Sequence, residues 1–281
     1  YTHAPLQVTT DCTIDYPTLP FQMTDGYWSP HTSSIEFCEQ NYLHHNAIVE
    51  LHNVWSSLAG ISLFGFVGMT YGNATTEIRY FLAYLTLFLI GVGSAGLHGT
   101  MHWVFQSSDE LPMIYLVVLM NFMIAEHGSP MGKPKYPRLP AYLSSLMVVN
   151  TLIYYTFQQF YFVFLATYIT LLCHEVYMVY TLVFKKGVGG KVTRNLNFCS
   201  LFVYLAASVF WMIDMFYCDK FSFSHGMTFH IIWHFGAGFG AYLGIVSMEN
   251  CRCVALGKPC ELRYIFGIIP YMKLIATSKL E

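Results

Sequence analysis

YFLAYLTLFLIGVGSAGLHGTMHWV, residues 80–104, is an apolar stretch without a single Asp, Glu, Lys or Arg. About 20 such residues span the hydrocarbon core of a bilayer as a helix, so this stretch predicts a transmembrane helix. Further apolar runs of nearly that length lie at 50–71, 111–127, 139–157, 160–184, 196–217 and 227–248. The sequence therefore predicts an all-α protein, a bundle of seven transmembrane helices.

The composition supports a bilayer as the surroundings of this chain. Of its 281 residues, 55% are hydrophobic and only 11% are charged, and the mean hydropathy is +0.45. Soluble domains carry roughly 25% charged residues. The net charge of −2 and the lack of a Lys/Arg cluster argue against a nucleic-acid partner.

The basic residues fix the predicted orientation of the helices. With seven spans, every Lys and Arg except Lys220 falls in every second connection or in the C-terminal tail, and a count of six or eight helices would break this alternation. The positive-inside rule then places the C-terminus in the cytosol and the N-terminus in the lumen or outside the cell. We expect any signal peptide to be absent or already removed.

This count divides the chain into three parts. Residues 1–49 form an acidic segment outside the membrane, without Lys or Arg, and 50–248 form the helix bundle. Residues 249–281 form a cytosolic tail. No internal repeat is evident, which argues against a transporter built from duplicated halves.

His230-Ile-Ile-Trp-His234 is the first candidate for chemistry. Histidines at i and i+4 lie on one face of a helix, one turn apart, where both can bind one metal ion. The alternative is that the two side chains merely pack against other helices.

A third imidazole is available from the second predicted helix. Ser94 and His98 lie at i and i+4 within a glycine-rich run that favours close helix approach. With about 1.5 Å per residue, His98 and His234 lie at about the same depth in the bilayer. The sequence therefore predicts a buried three-histidine zinc site, in which His102 is a competing ligand or an interfacial residue.

Asp109 follows the second helix, in Ser107-Ser108-Asp109-Glu110-Leu111-Pro112. Beside a zinc-bound water it would act as general base, and Ser94 would donate a hydrogen bond to the developing oxyanion. The alternative is that the segment only starts a helix, with Ser108 as the cap and the acids near the helix N-terminus.

Five separated stretches resemble the alkaline ceramidase family: Gly26-Tyr27-Trp28 to Asn41-Tyr42, Gly93-Ser94 to His98, Ser108 to Tyr115, Phe210-Trp211 to Asp214, and His230 to His234. The resemblance implies a seven-helix hydrolase of the endoplasmic reticulum or Golgi that cleaves the amide of ceramides into a sphingoid base and a fatty acid. It also implies that His98, His230 and His234 bind zinc, and that Ser94 and Asp109 serve the reaction.

The resemblance further implies a calcium site in the N-terminal segment. Its ligands fall on Glu36, Phe37, Glu39, Asn41 and Glu50, although the family often has Asp and Trp at the first two positions. Oxygen ligands suit Ca²⁺, while the alternative is an acidic solvated segment. It also implies a disulfide between Cys38 and Cys218, which the charge pattern places on the lumenal side.

Some polar residues keep two interpretations. Asp214, at membrane depth, has a functional interpretation, in which it orients a ligand histidine or bonds substrate hydroxyls. The alternative is that it only pairs with a polar group of a neighbouring helix. Glu175 beside His174 has the same two interpretations. Cys251, Cys253 and Cys260 are expected to be reduced. The rival function is a zinc-containing seven-helix lipid-sensing receptor related to the adiponectin receptors, in which the metal is mainly structural; a metal transporter is weakened by the lack of broken half-helices.

Overall fold

The computed structural model describes residues 26–220 and 227–275, and most of these residues are helical. Asp11, Asp15, Asp25 and Cys12 of the predicted acidic segment lie outside the described residues. The long helices are α1 (Leu51–Tyr71), α2 (Ile78–Thr100), α3 (Trp103–Ala125), α4 (Leu139–Thr156), α5 (Tyr161–Lys185), α6 (Gly190–Phe216) and α7 (His230–Ala255). A hairpin of two antiparallel strands follows, β1 (Cys260–Ile265) and β2 (Ile269–Leu274).

Six of these helices in the described chain are long and apolar enough to cross a membrane. The exception is α4, which has 18 residues and carries polar side chains such as Asn150 and Thr151. The chain is therefore an integral membrane protein with at least six candidate spans, and the seventh span stays a prediction.

The start of α3 differs from the prediction. The apolar run predicted a helix from 111 and a loop over 105–110, whereas α3 begins at Trp103 and includes this segment. His102 caps it, with its Nδ1 accepting a hydrogen bond from Val104 N at 3.3 Å, so the predicted cap role of Ser108 is wrong. Pro112 lies inside this helix and cannot donate to the carbonyl of Ser108.

The end of the bundle also differs from the division predicted at 248. Helix α7 continues to Ala255, since its polar side chains after 248 are buried against other helices. Tyr84 Oη donates to Glu249 at 3.1 Å, and Asn250 Nδ2 donates to Thr193 Oγ1 at 2.7 Å. A hydropathy scale ends the apolar run at 248 because it scores Glu249, Asn250 and Arg252 as polar, although all three are buried in the fold. The fold is thus mostly helical with a small hairpin.

Glycines let the first helix approach two others. A Cβ on Gly60 would lie 2.8 Å from the backbone nitrogen of Phe235, and one on Gly238 would lie 2.0 Å from the carbonyl oxygen of Gly60. A Cβ on Gly65 would lie 2.3 Å from the backbone nitrogen of Phe88. Only a hydrogen atom fits at these contacts, so α1 packs directly against α2 and α7. Within α1, residues Leu58–Ser62 form a π-helical turn.

The described part of the N-terminal segment lies across one end of the bundle. The backbone nitrogen of Thr32 donates to the carbonyl of Met101 at 3.0 Å, and Gln106 Nε2 donates to Ser34 Oγ at 2.7 Å. Cys38 and Cys218 are joined in a disulfide, as the resemblance implied. These contacts hold the segment against the start of α3 and the end of α6.

Candidate metal centre

Three imidazoles meet at the end of the bundle covered by the N-terminal segment. His98 lies near the end of α2, His230 and His234 lie in the first turns of α7, and all three are buried. One ligand atom from each lies within 4.8 Å of the others. The ring centroids are 4.5 to 5.1 Å apart. The predicted cluster is therefore present in the fold.

Two of the three imidazoles have a hydrogen-bond partner on Nδ1, whereas His230 Nδ1 has none among the described residues. His98 Nδ1 donates to Glu50 Oε2 at 2.5 Å, and His234 Nδ1 lies 2.8 Å from Ser56 Oγ. Because these Nδ1 atoms are engaged, Nε2 is the atom that His98 and His234 present to the centre of the cluster. Metal-binding histidines usually donate their second N–H in this way, which fixes the tautomer and the ring orientation.

Asp214 lies next to the third imidazole without a hydrogen bond to it. Its Oδ2 lies 3.8 Å from His230 Nδ1, and its Oδ1 accepts a hydrogen bond from the backbone nitrogen of His230 at 3.2 Å. Asp214 thus lies beside His230 and binds its backbone nitrogen, and its role in orienting the imidazole stays a prediction.

The donor set fits zinc. Three imidazole nitrogens that converge in a buried site are the protein ligands of many catalytic zinc sites, which leave a fourth position for water or substrate. His230 and His234 also line a cavity together with Ser94 and Asp109.

Ser94 lies within the cluster. Its Oγ is 3.5 Å from His234 Nε2 and 3.0 Å from Ser57 Oγ. The backbone places Asp109 opposite, because a Cβ on Gly93 would lie 2.1 Å from the carbonyl oxygen of Ser108. This close contact between α2 and α3 brings Ser94 and Asp109 to the same cavity.

His102 is not part of the cluster. Its ring stacks on Trp103 at a centroid distance of 6.0 Å, and its Nδ1 caps α3. The interpretation of His102 as a competing metal ligand is therefore wrong.

The cavity beside the histidines is small and mostly apolar, with a volume of about 270 Å³. A second cavity of about 570 Å³ adjoins it between α3, α5, α6 and α7. Tyr168 and Tyr204 line both cavities, and their hydroxyls are 2.5 Å apart. Glu175 lines the second cavity, whereas His174 binds Asn121 Oδ1 through Nδ1 at 2.8 Å.

The N-terminal acids form a second cluster, next to the histidines. Glu39 accepts hydrogen bonds from the backbone nitrogens of His52 and Asn53, at 2.6 and 2.7 Å. Burial raises the pKa of Glu39 to about 8; the two N–H groups oppose this shift, and the nearby Glu50 carboxylate adds to it. Burial also raises the pKa of Glu50. Among the ion pairs of the described residues, none joins these two carboxylates to a Lys or Arg.

The other predicted calcium ligands lie in the same segment. Glu36 is exposed, while Phe37 and Asn41 are half-buried. The ring of Phe37 packs against the rings of His98 and His230, with centroids 4.5 Å away from each. Glu50 therefore contacts His98 directly and Phe37 packs on His98 and His230, so the acidic cluster and the histidine cluster are in direct contact.

Sequence reasoning missed Ser56 and Ser57. Both precede the π-helical turn of α1 and face His234. Two adjacent hydroxyls at the start of an apolar run were the only signal in the sequence, and such residues are also common at helix starts.

Known proteins resemble this chain over most of its length. The ceramidase family profile matches residues 29–273. Mouse alkaline ceramidase 3 is 32% identical over 258 residues, which cover 87% of this chain and 93% of the mouse protein. Alkaline ceramidase from Arabidopsis thaliana is 26% identical, over 90% of this chain and 98% of the plant protein. Alkaline ceramidase YPC1 from Saccharomyces cerevisiae is 24% identical, over 91% and 88% respectively.

Proposed function

The chain belongs to the ceramidase family, and from this premise we propose that it hydrolyses the amide bond of ceramides with a zinc ion held by His98, His230 and His234. The observation that carries the proposal is a cluster of three buried imidazoles, two of which, His230 and His234, line a cavity together with Ser94 and Asp109. The named relatives are ceramidases, so they give no support to the receptor interpretation.

Zinc bound to these nitrogens would lower the pKa of a water molecule and polarise the amide carbonyl. Asp109 takes a proton from the attacking water and passes it to the leaving nitrogen. Ser94 donates a hydrogen bond to the carbonyl oxygen as that oxygen gains negative charge. The C–N bond breaks, and a fatty acid and a sphingoid base leave.

The apolar cavities supply the binding site for the lipid. Pockets for small molecules usually measure about 300–1,000 Å³, and the cavity of about 270 Å³ beside the histidines is too small for both chains of a ceramide. The adjoining cavity of about 570 Å³ has room for an aliphatic chain. The substrate enters sideways from the bilayer, with its amide at the metal.

We place a calcium ion at the N-terminal acids, with Glu36, Phe37, Glu39, Asn41 and Glu50 as ligands. The support is the pair Glu39 and Glu50: burial raises the pKa of both carboxyl groups, and no ion pair among the described residues joins either to a Lys or Arg. Since Glu50 also accepts a hydrogen bond from His98, a calcium ion there would fix the position of one zinc ligand. Chelation of calcium is expected to lower turnover while zinc stays bound.

The orientation of the chain is part of the same proposal. We place seven spans in the membrane of the endoplasmic reticulum or Golgi, with the acidic N-terminal segment in the lumen and the C-terminus in the cytosol. The Lys and Arg distribution supports this orientation. The disulfide Cys38–Cys218 agrees with it, because disulfides persist in the lumen.

The test is release of fatty acid from ceramide by the detergent-purified full chain, with bound zinc quantified by metal analysis. His230→Ala is expected to lose both turnover and zinc. His102→Ala is the matched control, since it removes an imidazole outside the cluster and should keep both. Zinc bound to the wild-type protein without turnover, across several ceramides and pH values, would refute the proposed enzyme.

A further inference from the structure

The hairpin that follows α7 carries an uninterrupted apolar sequence. Residues 264–272, YIFGIIPYM, lie between Arg263 and Lys273 and include no charged side chain. This run covers the end of β1, the turn and most of β2. It is too short to span a bilayer as a helix.

One face of the hairpin is fixed to the helices. Met272 is 1% exposed and belongs to the main apolar core, and Pro270 is also buried. Tyr242 Oη donates to the carbonyl of Pro270 at 2.6 Å, and the rings of Tyr71 and Tyr271 are 5.7 Å apart. The hairpin therefore packs against α7 and the end of α1.

These contacts also give the direction of the hairpin. Its base lies next to the end of α7, where Ile275 N donates to the carbonyl of Pro259 at 2.8 Å. Near the turn, Pro270 contacts Tyr242, which lies roughly 20 Å back along α7 from Ala255. The strands therefore run back along a membrane-spanning helix, and the turn points towards the bilayer and not away from it.

The side chains of the turn are exposed although they are apolar. Phe266 is 92% exposed, Ile268 is 72% exposed and Tyr264 is 55% exposed. Phe266 and Gly267 both have positive φ, +50° and +73°. Turns with two such residues favour Asn-Gly, and a bulky side chain at positive φ is strained. At Phe266 the protein thus accepts backbone strain for a phenyl ring that is almost fully exposed among the described residues.

We propose that this turn, with Tyr264, Phe266 and Ile268, inserts into the interfacial layer of the same bilayer that the helices cross. The lipid surface is already the environment of the neighbouring helices, so the exposed turn continues an apolar surface. Arg263 within β1 and Lys273 within β2 flank this apolar run and are exposed, so their long side chains are positioned to reach the lipid headgroups while Arg263 also pairs with Glu261. Insertion is shallow, because the outer strand edges keep unpaired backbone groups that need water.

The test places a fluorescent amino acid at position 266 of the full chain in vesicles of phosphatidylcholine with a minor share of phosphatidylserine. Lipids with a nitroxide in the headgroup or high on the acyl chain are expected to quench it strongly, and aqueous iodide weakly. The matched control carries the probe in place of Leu274, at the base of the same hairpin and 44% exposed. There iodide is expected to quench strongly and acyl-chain nitroxides weakly.

A second variant separates insertion from folding. With the probe in place of Ile268, Phe266→Asn keeps a residue that favours the turn but removes the apolar ring, so nitroxide quenching is expected to fall at least severalfold. Equal iodide quenching at positions 266 and 274 would overturn the proposal. A second result would also overturn it: in lipid-free detergent, the probe at position 266 is protected from iodide when another protein is bound and is quenched when that protein is absent. The turn would then be a protein-binding surface. Neither result depends on zinc or on ceramide hydrolysis.

Discussion

Carboxylates at the two ends of the helix bundle differ in whether arginine neutralises them, as a comparison of Glu77 with Glu39 and Glu50 shows. At the end that holds His98, His230 and His234, here called the histidine end, Glu39 and Glu50 are buried without a Lys or Arg partner among the described residues. At the opposite end, here called the arginine end, Glu77 bonds two guanidinium groups. Its carboxylate lies 3.0 Å from Arg79 Nη2 and 2.8 Å from Arg252 Nε.

The pKa values of the carboxylates express this difference. Burial raises the pKa of Glu39 and Glu50. Burial would also raise the pKa of Glu77, but hydrogen bonds and ion pairs with Arg252 and Arg79 outweigh it and lower the pKa. Buried charge is stable only when paired. Glu77 at the arginine end is neutralised by two arginines, whereas Glu39 and Glu50 at the histidine end have no Lys or Arg partner among the described residues, so that end is the candidate cation-binding site. Glu249, also buried at the arginine end, bonds the hydroxyl of Tyr84 and, within the described chain, no Lys or Arg, so the contrast concerns Glu77 and not every carboxylate there.

The largest effect is expected at the histidine end. Asp109→Asn keeps the size of the side chain but cannot accept the proton of water, so turnover should fall by about 10²–10⁴-fold. Zinc content should not change, because Asp109 is not among the three ligands. Ceramide turnover and metal analysis on the same preparation measure both quantities.

Ser108→Ala is the matched control for this change. Ser108 is exposed, and its hydroxyl only bonds the carbonyl of Val104 at 2.8 Å, so turnover should stay close to that of the wild-type protein. An Asp109→Asn protein with normal turnover would show that this aspartate is only a helix residue.

At the arginine end, a mutation should affect stability and not chemistry. Arg252 is 1% exposed and also donates to the carbonyls of His127 and Ser129. Arg252→Met removes one partner of a buried pair, so the free energy of unfolding should fall by about 3 kcal/mol. Thermal unfolding in detergent measures this loss.

Arg263→Met serves as the control. Arg263 also pairs with a carboxylate, that of Glu261, but its side chain is 57% exposed, so we expect a loss of about 0–1 kcal/mol. If both variants lost equal stability, the buried ion pair of Arg252 would contribute no more to the free energy of unfolding than the exposed ion pair of Arg263. Turnover per folded molecule should be unchanged in both.

A smaller effect is expected from the hydroxyl beside His234. Ser56→Ala removes the partner of His234 Nδ1, so zinc affinity should fall by about 10–100-fold. Competition with a zinc chelator measures it. Ser62→Ala removes a buried hydroxyl from the same helix that bonds only the carbonyl of Phe88, and its zinc affinity should match that of the wild-type protein. Equal losses in both variants would point to a general weakening of α1.

The histidine cluster could be predicted from the sequence because each step used local geometry. Spacing places His230 and His234 on one face, and the alternation of basic loops brings His98 to the same depth. The hydrogen bond between Ser56 and His234 could not be predicted, because it joins α1 to α7. These two helices come close enough for it only because Gly60 and Gly238 lie at their contact. Contacts of this kind follow from packing and not from sequence period.

Helix boundaries failed where polar residues are buried or where a proline is tolerated. Pro112 suggested a helix start, yet α3 runs through it. The Ser108 carbonyl, left without the N–H of residue 112, packs against Gly93 of the neighbouring helix. The hairpin after α7 lies in the segment 249–281, for which the sequence predicts only a cytosolic tail.

The smallest effect concerns pH and the carboxylate of Glu77. Because its folded pKa is lowered, this carboxylate stabilises the protein at pH values above the unfolded pKa of about 4.3, and the contribution is lost as the pH falls through the lower folded pKa. Glu77→Gln has no carboxylate to protonate. The difference in Tm between wild type and Glu77→Gln should therefore be constant from pH 8 to about pH 5 and shrink below it. A difference that stayed constant down to the lowest pH at which the protein still folds would mean that Glu77 acts at the arginine end through its shape and hydrogen bonds, and that charge pairing does not distinguish the two ends.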